Sequence, residues 1–229
     1  MLARILEPRE WQMTLGERAA LEGLLVALEP QLGIEIGTAQ GGSLTRIAAH
    51  CREVHSFDLE HAPGRPWPAN AELHSGDSHV LLPELLGRLA NEGRNVDFVL
   101  VDGDHTTEGA RRDLEDLLDS AALARTALLL HDTLNAEVRS GFLLAGLESR
   151  PEVVHFDLDF VPGHLSRGGP FAGQLWGGLG LVLVDRGAGA PAFALEEGSG
   201  RGEFEDAFEV FSSFRQGGGP LSRLRRRRQ

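Results

Sequence analysis

Seven short apolar runs recur along the chain, at 33–36, 53–57, 72–74, 96–101, 127–130, 153–156 and 179–184. Each is too short for a helix and the right length for a strand. Between several of them lie segments of helical periodicity, chiefly 43–50, 107–118 and 136–147. This alternation predicts an α/β protein with a doubly wound, mostly parallel seven-stranded sheet and helices on both faces. A further amphipathic helix, 15–28, carries Leu15, Ala19, Leu24 and Leu28 at helical spacing and stops before Pro30. In such sheets ligands lie beyond the carboxyl ends of the strands, where the strand order reverses.

Two intervals resist regular structure. The stretch "LEHAPGRPWPANA" after Asp58 contains three prolines, so that crossover is expected to be an irregular loop or a single turn. Residues 162–178 are glycine-rich and read as a long loop. The expected organisation is an N-terminal helical segment (1–30), one sheet-bearing domain (31–185) and a partly ordered Gly/Arg-rich tail (186–229) ending in "LSRLRRRRQ".

The 229-residue length suits one large domain. No apolar stretch reaches about 18 residues, and the first residues lack a secretory pattern, so a cytoplasmic protein is expected. With Cys51 as its single cysteine, the chain forms no internal disulfide and no cysteine-built zinc site; Cys51 is expected to be buried at a helix end. The net charge is −12, and the basic residues are all arginine. An acidic body repels a phosphate backbone, which argues against nucleic acid as a partner.

The stretch "IEIGTAQGGSLTRIA", residues 34–48, passes from strand through glycine into helix. Gly37, Gly41 and Gly42 permit a sharp turn and close approach of a ligand to the backbone. The free amides of the following helix favour an anion, with Thr38 in the turn and Ser43 placed as an N-cap or as a hydroxyl donor to a carboxylate. The pattern G-x-x-x-G-G differs from the dinucleotide fingerprint, with Ala39 at the middle glycine position. Glu35, two residues before the turn, is suited to attract an ammonium group, and the pair of receptors suits an amino-acid zwitterion such as that of methionine. Asp58, about 21 residues past Gly37, stands where an acid binds ribose hydroxyls. Asp77, with Ser78 beside it, is positioned to accept from an adenine amine.

The ordered set "EIGTAQGGS", "FDLE", "SGDS", "FVLVDGDHTTEGARRDLE" and "LLLHDT" resembles the class I S-adenosylmethionine-dependent methyltransferases. Within them it is most similar to small-molecule O-methyltransferases, a group that includes macrolide-sugar methyltransferases and cephalosporin hydroxylase-like proteins, and more distantly catechol O-methyltransferase. The resemblance spans roughly 32–147. It implies a Rossmann-like domain, S-adenosylmethionine held by Glu35, Gly37, Thr38, Gly41, Gly42, Ser43, Asp58, Asp77, Ser78 and Asp102, and a small hydroxylated acceptor such as a sugar, polyketide or catechol-like molecule of natural product biosynthesis.

Asp102, Asp104, His105, His131 and Asp132 follow two apolar runs expected to be neighbouring parallel strands. Asp102 and Asp132 match the one or two carboxylates by which magnesium is held, and the resemblance puts a divalent metal at these two strand ends. His131, which stands where relatives carry an acid, is the third candidate metal ligand, and its imidazole makes manganese a second candidate metal. A metal there lowers the pKa of an acceptor hydroxyl. His105 is the expected general base, from its titration range and from the D-x-x-H unit of macrolide-sugar enzymes.

Structural readings accompany each of these. The glycine loop also suits a tight turn, Asp58 a turn cap, Asp77 and Ser78 the start of a helix before Pro83, and His105 a helix cap near Thr106. Trp67 and Trp176 fit either pocket walls or packing anchors. His50, His55, His61, His74, His79, His155 and His164 show no paired spacing and read as surface or strand residues. The terminal arginines read as a solvated tail or as an anion-binding or intersubunit element of a homo-oligomer. A nicotinamide-dependent oxidoreductase, a metal-using protein of the same fold without methyl transfer, and a binding protein without turnover are the alternatives.

Overall fold

In the computed structural model, which describes residues 11–167 and 171–187, the apolar runs form one sheet because each has nowhere else to bury both of its faces. The strands are β1 (Leu32–Ile36), β2 (Glu53–Asp58), β3 (Ala71–Ser75), β4 (Phe98–Val101), β5 (Arg125–His131), β6 (Val153–Val161) and β9 (Leu179–Asp185). Every residue of β1 and β4 is buried, the mark of strands covered on both sides. The order is β3-β2-β1-β4-β5-β9-β6. β1 to β5 pair in parallel, while β9 runs antiparallel to both β5 and β6. The order reverses between β1 and β4, so the loops leaving these two strands face each other across the switch point.

Among the described residues five helices cover the sheet: α1 (Leu15–Leu28), α2 (Gly42–Ala48), α3 (Ser78–Asn91), α4 (Thr107–Leu118) and α5 (Ala136–Leu144). Their starts follow from local chemistry. Thr14 and Glu17 form a capping box on α1, and Asp77, Thr106 and Asn135 accept from first-turn amides of α3, α4 and α5. Two apolar layers result. One packs Leu82, Leu86, Leu114 and Phe142 against Ile34, Val99 and Leu128; the other packs Leu21, Leu25, Leu44 and Ile47 against Val54, Leu100 and Leu129. Fully burying one such side chain stabilises by about 1.5–3 kcal/mol. Cys51 lies buried just past α2, where burial pushes its thiol up to about 12.

Several boundaries differ from the sequence reading. α3 continues through Pro83, the sixth residue of the helix, which has no N–H to bond the preceding turn. The helix expected over 136–147 ends at Leu144, because Gly146 turns left-handed (φ 77°) and a separate 3₁₀ turn, Leu147–Ser149, follows. The long loop after β6 contains a small ribbon, β7 (His164–Leu165) with β8 (Leu175–Trp176). The proline-rich crossover after Asp58 is irregular, as expected. Among the described residues no helix is long and apolar enough to cross a membrane. The terminal arginine run lies outside the described residues.

Candidate active site

The turn after β1 is shaped first by its neighbours. Gly37 has φ 90°, and a Cβ there would overlap the carbonyl oxygen of Asp102 at the end of β4. The bond from Asp102 N–H to the Ile36 carbonyl, 2.8 Å, holds the two strand ends at this distance. Gly41 (φ 73°) lies under the ring of Trp67, and Gly42 under Trp11. The glycines therefore admit protein as well as ligand. Asp58 Oδ2 accepts from the amides of Thr38 (3.0 Å) and Ala39 (2.8 Å), so this acid fastens the glycine turn to β2. Its Oδ1 has a single long contact, 3.4 Å from the Glu60 amide.

Of the two readings of Ser43, the cap falls to Gly41, and the hydroxyl donates to a carboxylate, Glu35 Oε1, at 2.5 Å. Glu35 also accepts from Ser56 at 2.6 Å and is wholly buried. Burial pushes its carboxyl up to about 8 against the pull of the two serine hydroxyls. At neutral pH it is largely uncharged, and it serves as an internal tie rather than an exposed partner for an ammonium group. Asp77 caps α3 through the His79 amide at 2.9 Å, and Ser78 donates to Asp113 at 3.3 Å.

β4 and β5 deliver the second group of residues. His131 Nδ1 lies 2.9 Å from Asp102 Oδ1 and 3.5 Å from Asp132 Oδ2. His105 Nε2 lies 3.1 Å from Asp132 Oδ2 and 3.4 Å from Asp102 Oδ1. Ligand atoms of Asp102, His105 and Asp132 all fall within 4.8 Å of one another. Asp132 adopts φ 57°, a left-handed conformation that aspartate tolerates better than most residues, and its Oδ1 accepts from the Gly177 amide at 2.6 Å. His131 sits behind this trio, almost fully buried, with Nε2 facing Glu17 Oε1 at 3.8 Å. Glu17 reaches in from α1 and accepts from Gly178 N–H and Thr14 N–H, each at 2.5 Å.

The electrostatics follow from this crowding. Hydrogen bonds to Asp102 and then Asp132 push His105 up to about 10. Burial opposes charging of His131, yet the Asp102 charge and its hydrogen bonds hold its pKa well above the ordinary range. Burial likewise opposes ionisation of Asp132, and the hydrogen bonds from His105 and His131 overcome it, holding the carboxyl well below the usual range. Three carboxylates face two imidazoliums, which leaves one negative charge uncompensated. An oxygen-rich pair with one imidazole at the rim is a donor set that fits a hard or borderline divalent cation.

The glycine turn opens on a cleft lined by Trp11, Met13, Gly37, Thr38, Ser43 and Asp102, and Asp102 joins that cleft to the cluster. Residues 34–133 match the family model of a methyltransferase domain. The fold is that of the class I methyltransferases. No curated protein matches the sequence. Solved structures with the same fold include the O-methyltransferase of Bacillus cereus in complex with SAH, at 16% identity and TM-score 0.53, covering 80% of this chain and 86% of that one. Cofactor-bound Rv0187 from MTB is 18% identical with TM-score 0.53, over 81% and 88% of the two chains. TomG from Streptomyces achromogenes, an O-methyltransferase involved in tomaymycin synthesis and solved with SAM, is 16% identical with TM-score 0.53, over 79% and 83%.

Within this fold, then, Gly37, Thr38, Ser43, Asp58 and Asp102 lie together around the first turn, and Asp102, His105 and Asp132 meet at the rim. His131 supports that group from behind. Trp176 makes an edge contact with His105, ring centroids 5.6 Å apart at 89°, while Trp67 packs over Gly41. Glu17 and Trp11 escaped the sequence reading. The spacing of Thr14 and Glu17 signals a helix cap, but nothing local signals that Glu17 also reaches Gly178.

Proposed function

We propose that the protein is an S-adenosylmethionine-dependent O-methyltransferase acting on a small hydroxylated molecule, with a divalent cation, magnesium or manganese, assisting deprotonation. The observation that carries this reading is the meeting of Asp102, His105 and Asp132, with Asp102 also lining the cleft that begins at the Gly37 turn. The SAH and SAM bound in two of the structural relatives support the choice of cofactor.

In this reading Gly37, Thr38, Gly41, Gly42, Ser43 and Asp58 hold the cofactor, with Glu35 tying the turn from beneath and Asp77 and Ser78 at the adenine side. Asp58 Oδ1 is the acceptor for ribose hydroxyls. The cofactor supplies a methyl group on a positively charged sulfur that leaves with the bonding electrons. Asp102 and Asp132 hold the cation, which when bound polarises the acceptor hydroxyl. His105, on the exposed side, takes the hydroxyl proton. Its proton is held in the cation-free protein by the same two carboxylates, so engaging them elsewhere returns the imidazole toward its ordinary range and makes it a usable base. Trp176 limits the rotation of that ring, and His131 balances the carboxylates. An apolar or sugar-like acceptor fits beside Trp176.

Calorimetric titration with S-adenosylhomocysteine, followed by methyl transfer to a panel of catechols and sugars with magnesium or manganese, tests the reading. Absence of heat with both S-adenosylhomocysteine and S-adenosylmethionine would overturn it. Cofactor binding without any cation-dependent product would leave the domain assigned and the O-transfer reading wrong.

A further inference from the structure

On the far side of the sheet from Glu35, β2 and β3 assemble a second set of ligand-type side chains. The tripeptides Glu53-Val54-His55 and Glu72-Leu73-His74 run side by side, with His55 opposite Glu72 and Phe57 opposite His74. Side chains alternate along a strand, so both glutamates and both histidines share one face. His55 Nδ1 lies 3.0 Å from His74 Nε2. Glu72 Oε2 is 3.7 Å from His55 Nδ1, and its Oε1 is 3.7 Å from His74 Nε2. We propose that His55, Glu72 and His74 bind one zinc-class divalent ion, which clips the edge strand β3 to β2.

Spacing is the first argument. A tetrahedral zinc with bonds of about 2.0–2.1 Å keeps its ligand atoms about 3.3 Å apart, and the separations of 3.0 and 3.7 Å bracket that value. Satisfaction of the polar atoms is the second. One shared proton serves the two rings, while both Glu72 contacts are too long for hydrogen bonds, so the carboxylate approaches two nitrogens and bonds to neither. A cation in place of the proton engages all three.

The surroundings also prepare His55 as a ligand. Its Nε2 lies 2.9 Å from Glu53 Oε1, and Glu53 Oε2 accepts from Arg94 at 2.7 Å. Donation of the Nε2 proton to Glu53 leaves the Nδ1 lone pair directed at His74, the carboxylate–histidine arrangement that orients metal-bound imidazoles. The His55 side chain is only 1% exposed, and Phe57 stacks on His74 at 4.5 Å and 14°, so both rings are fixed. Glu72 is 57% exposed and leaves a path from solvent. Two nitrogens and one carboxylate favour zinc, cobalt or nickel over magnesium, which separates this set from the oxygen-rich pair at Asp102 and Asp132.

The test uses untagged, metal-stripped full-length protein, its zinc content measured after dialysis against micromolar free zinc, with cobalt(II) titrated in parallel for visible absorption. The wild-type chain is expected to lose one zinc per chain in His74→Gln and to bind that zinc at least about 10-fold more weakly in Glu72→Gln. Asp132→Asn is expected to keep it. Zinc should also raise the melting temperature of the wild type and not of His74→Gln. Circular dichroism establishes that the variants are folded; Glu72, being exposed, is the safer substitution and decides alone if His74→Gln unfolds. A wild type that takes up no zinc, or a folded variant with unchanged zinc stoichiometry and affinity, overturns the proposal.

Discussion

His105 Nε2 stands 3.1 Å from Asp132 Oδ2, although the two residues leave different strands of the sheet. The pairing couples the exposed imidazole to a buried carboxylate, so the charge on one controls the proton affinity of the other. His105→Ala removes the exposed partner without touching the glycine turn. We expect turnover to fall by about 10²- to 10⁴-fold, with S-adenosylhomocysteine affinity nearly unchanged; rapid-quench methyl transfer and calorimetry on the same preparation check this. Wild-type turnover in that variant would remove His105 from the base role.

Chelation provides a separate check on the carboxylates. Treatment with EDTA is expected to abolish methyl transfer, with recovery on adding magnesium or manganese. Asp132→Asn should resist that recovery, because it removes one carboxylate from the Asp102, His105 and Asp132 group. Full activity of the chelated wild type would show that deprotonation needs no cation.

Glu17 links acid stability to the far end of the chain. Burial works against its ionisation, but His131, Thr14 and Gly178 hold its pKa at about 2 against an ordinary 4.5. The fold favours the charged form, so this contribution is complete above about pH 4.5 and is lost as the pH falls toward 2. Glu17→Gln should cost about 1–3 kcal/mol at neutral pH and flatten the acid limb. Urea melts from pH 3 to 7 measure both; parallel curves for the two proteins would contradict the linkage.

Glu35 acts in the opposite direction. Its pKa of about 8 lies above the ordinary value, so the fold prefers the protonated form. Stability from this group is present below about pH 4.5 and declines as the pH rises toward 8. The isosteric Glu35→Gln should therefore be less sensitive than the wild type to alkaline pH, gaining on it by a few kcal/mol at pH 9. Thermal melts across that range decide.

At Gly37 the prediction concerns shape alone. Alanine there meets both a left-handed φ of 90° and the Asp102 carbonyl. Gly37→Ala should destabilise by more than about 1 kcal/mol and displace the β4 end, lowering cofactor affinity as well. An unchanged urea midpoint would mean that the two strand ends separate freely.

The sheet was legible because buried parallel strands write themselves as apolar runs, and Thr107–Leu118 was readable to the residue from its capping threonines and amphipathic spacing. Asp102, His105 and Asp132 were legible as a group because strand ends are placed by topology. Side-chain partners were not. Ser43 was legible as a cap or as a donor to a carboxylate, but not that the carboxylate is Glu35, since a buried carboxyl competes strongly for any nearby hydroxyl. His55 and His74 look unrelated in sequence because their proximity depends on the register of β2 against β3. Glu17 shows the same limit over a longer range: its capping role is local and visible, its bond to Gly178 is not.

That last bond has a consequence for how the molecule is made. α1 emerges early from the ribosome, but Glu17 must wait for Gly178, and β5 must wait for β9 to be inserted between it and β6. The cluster at the ends of β4 and β5 is thus closed only once Gly177, Gly178 and β9 have been made, and a nascent chain carries those charged residues well before the wall that confines them exists.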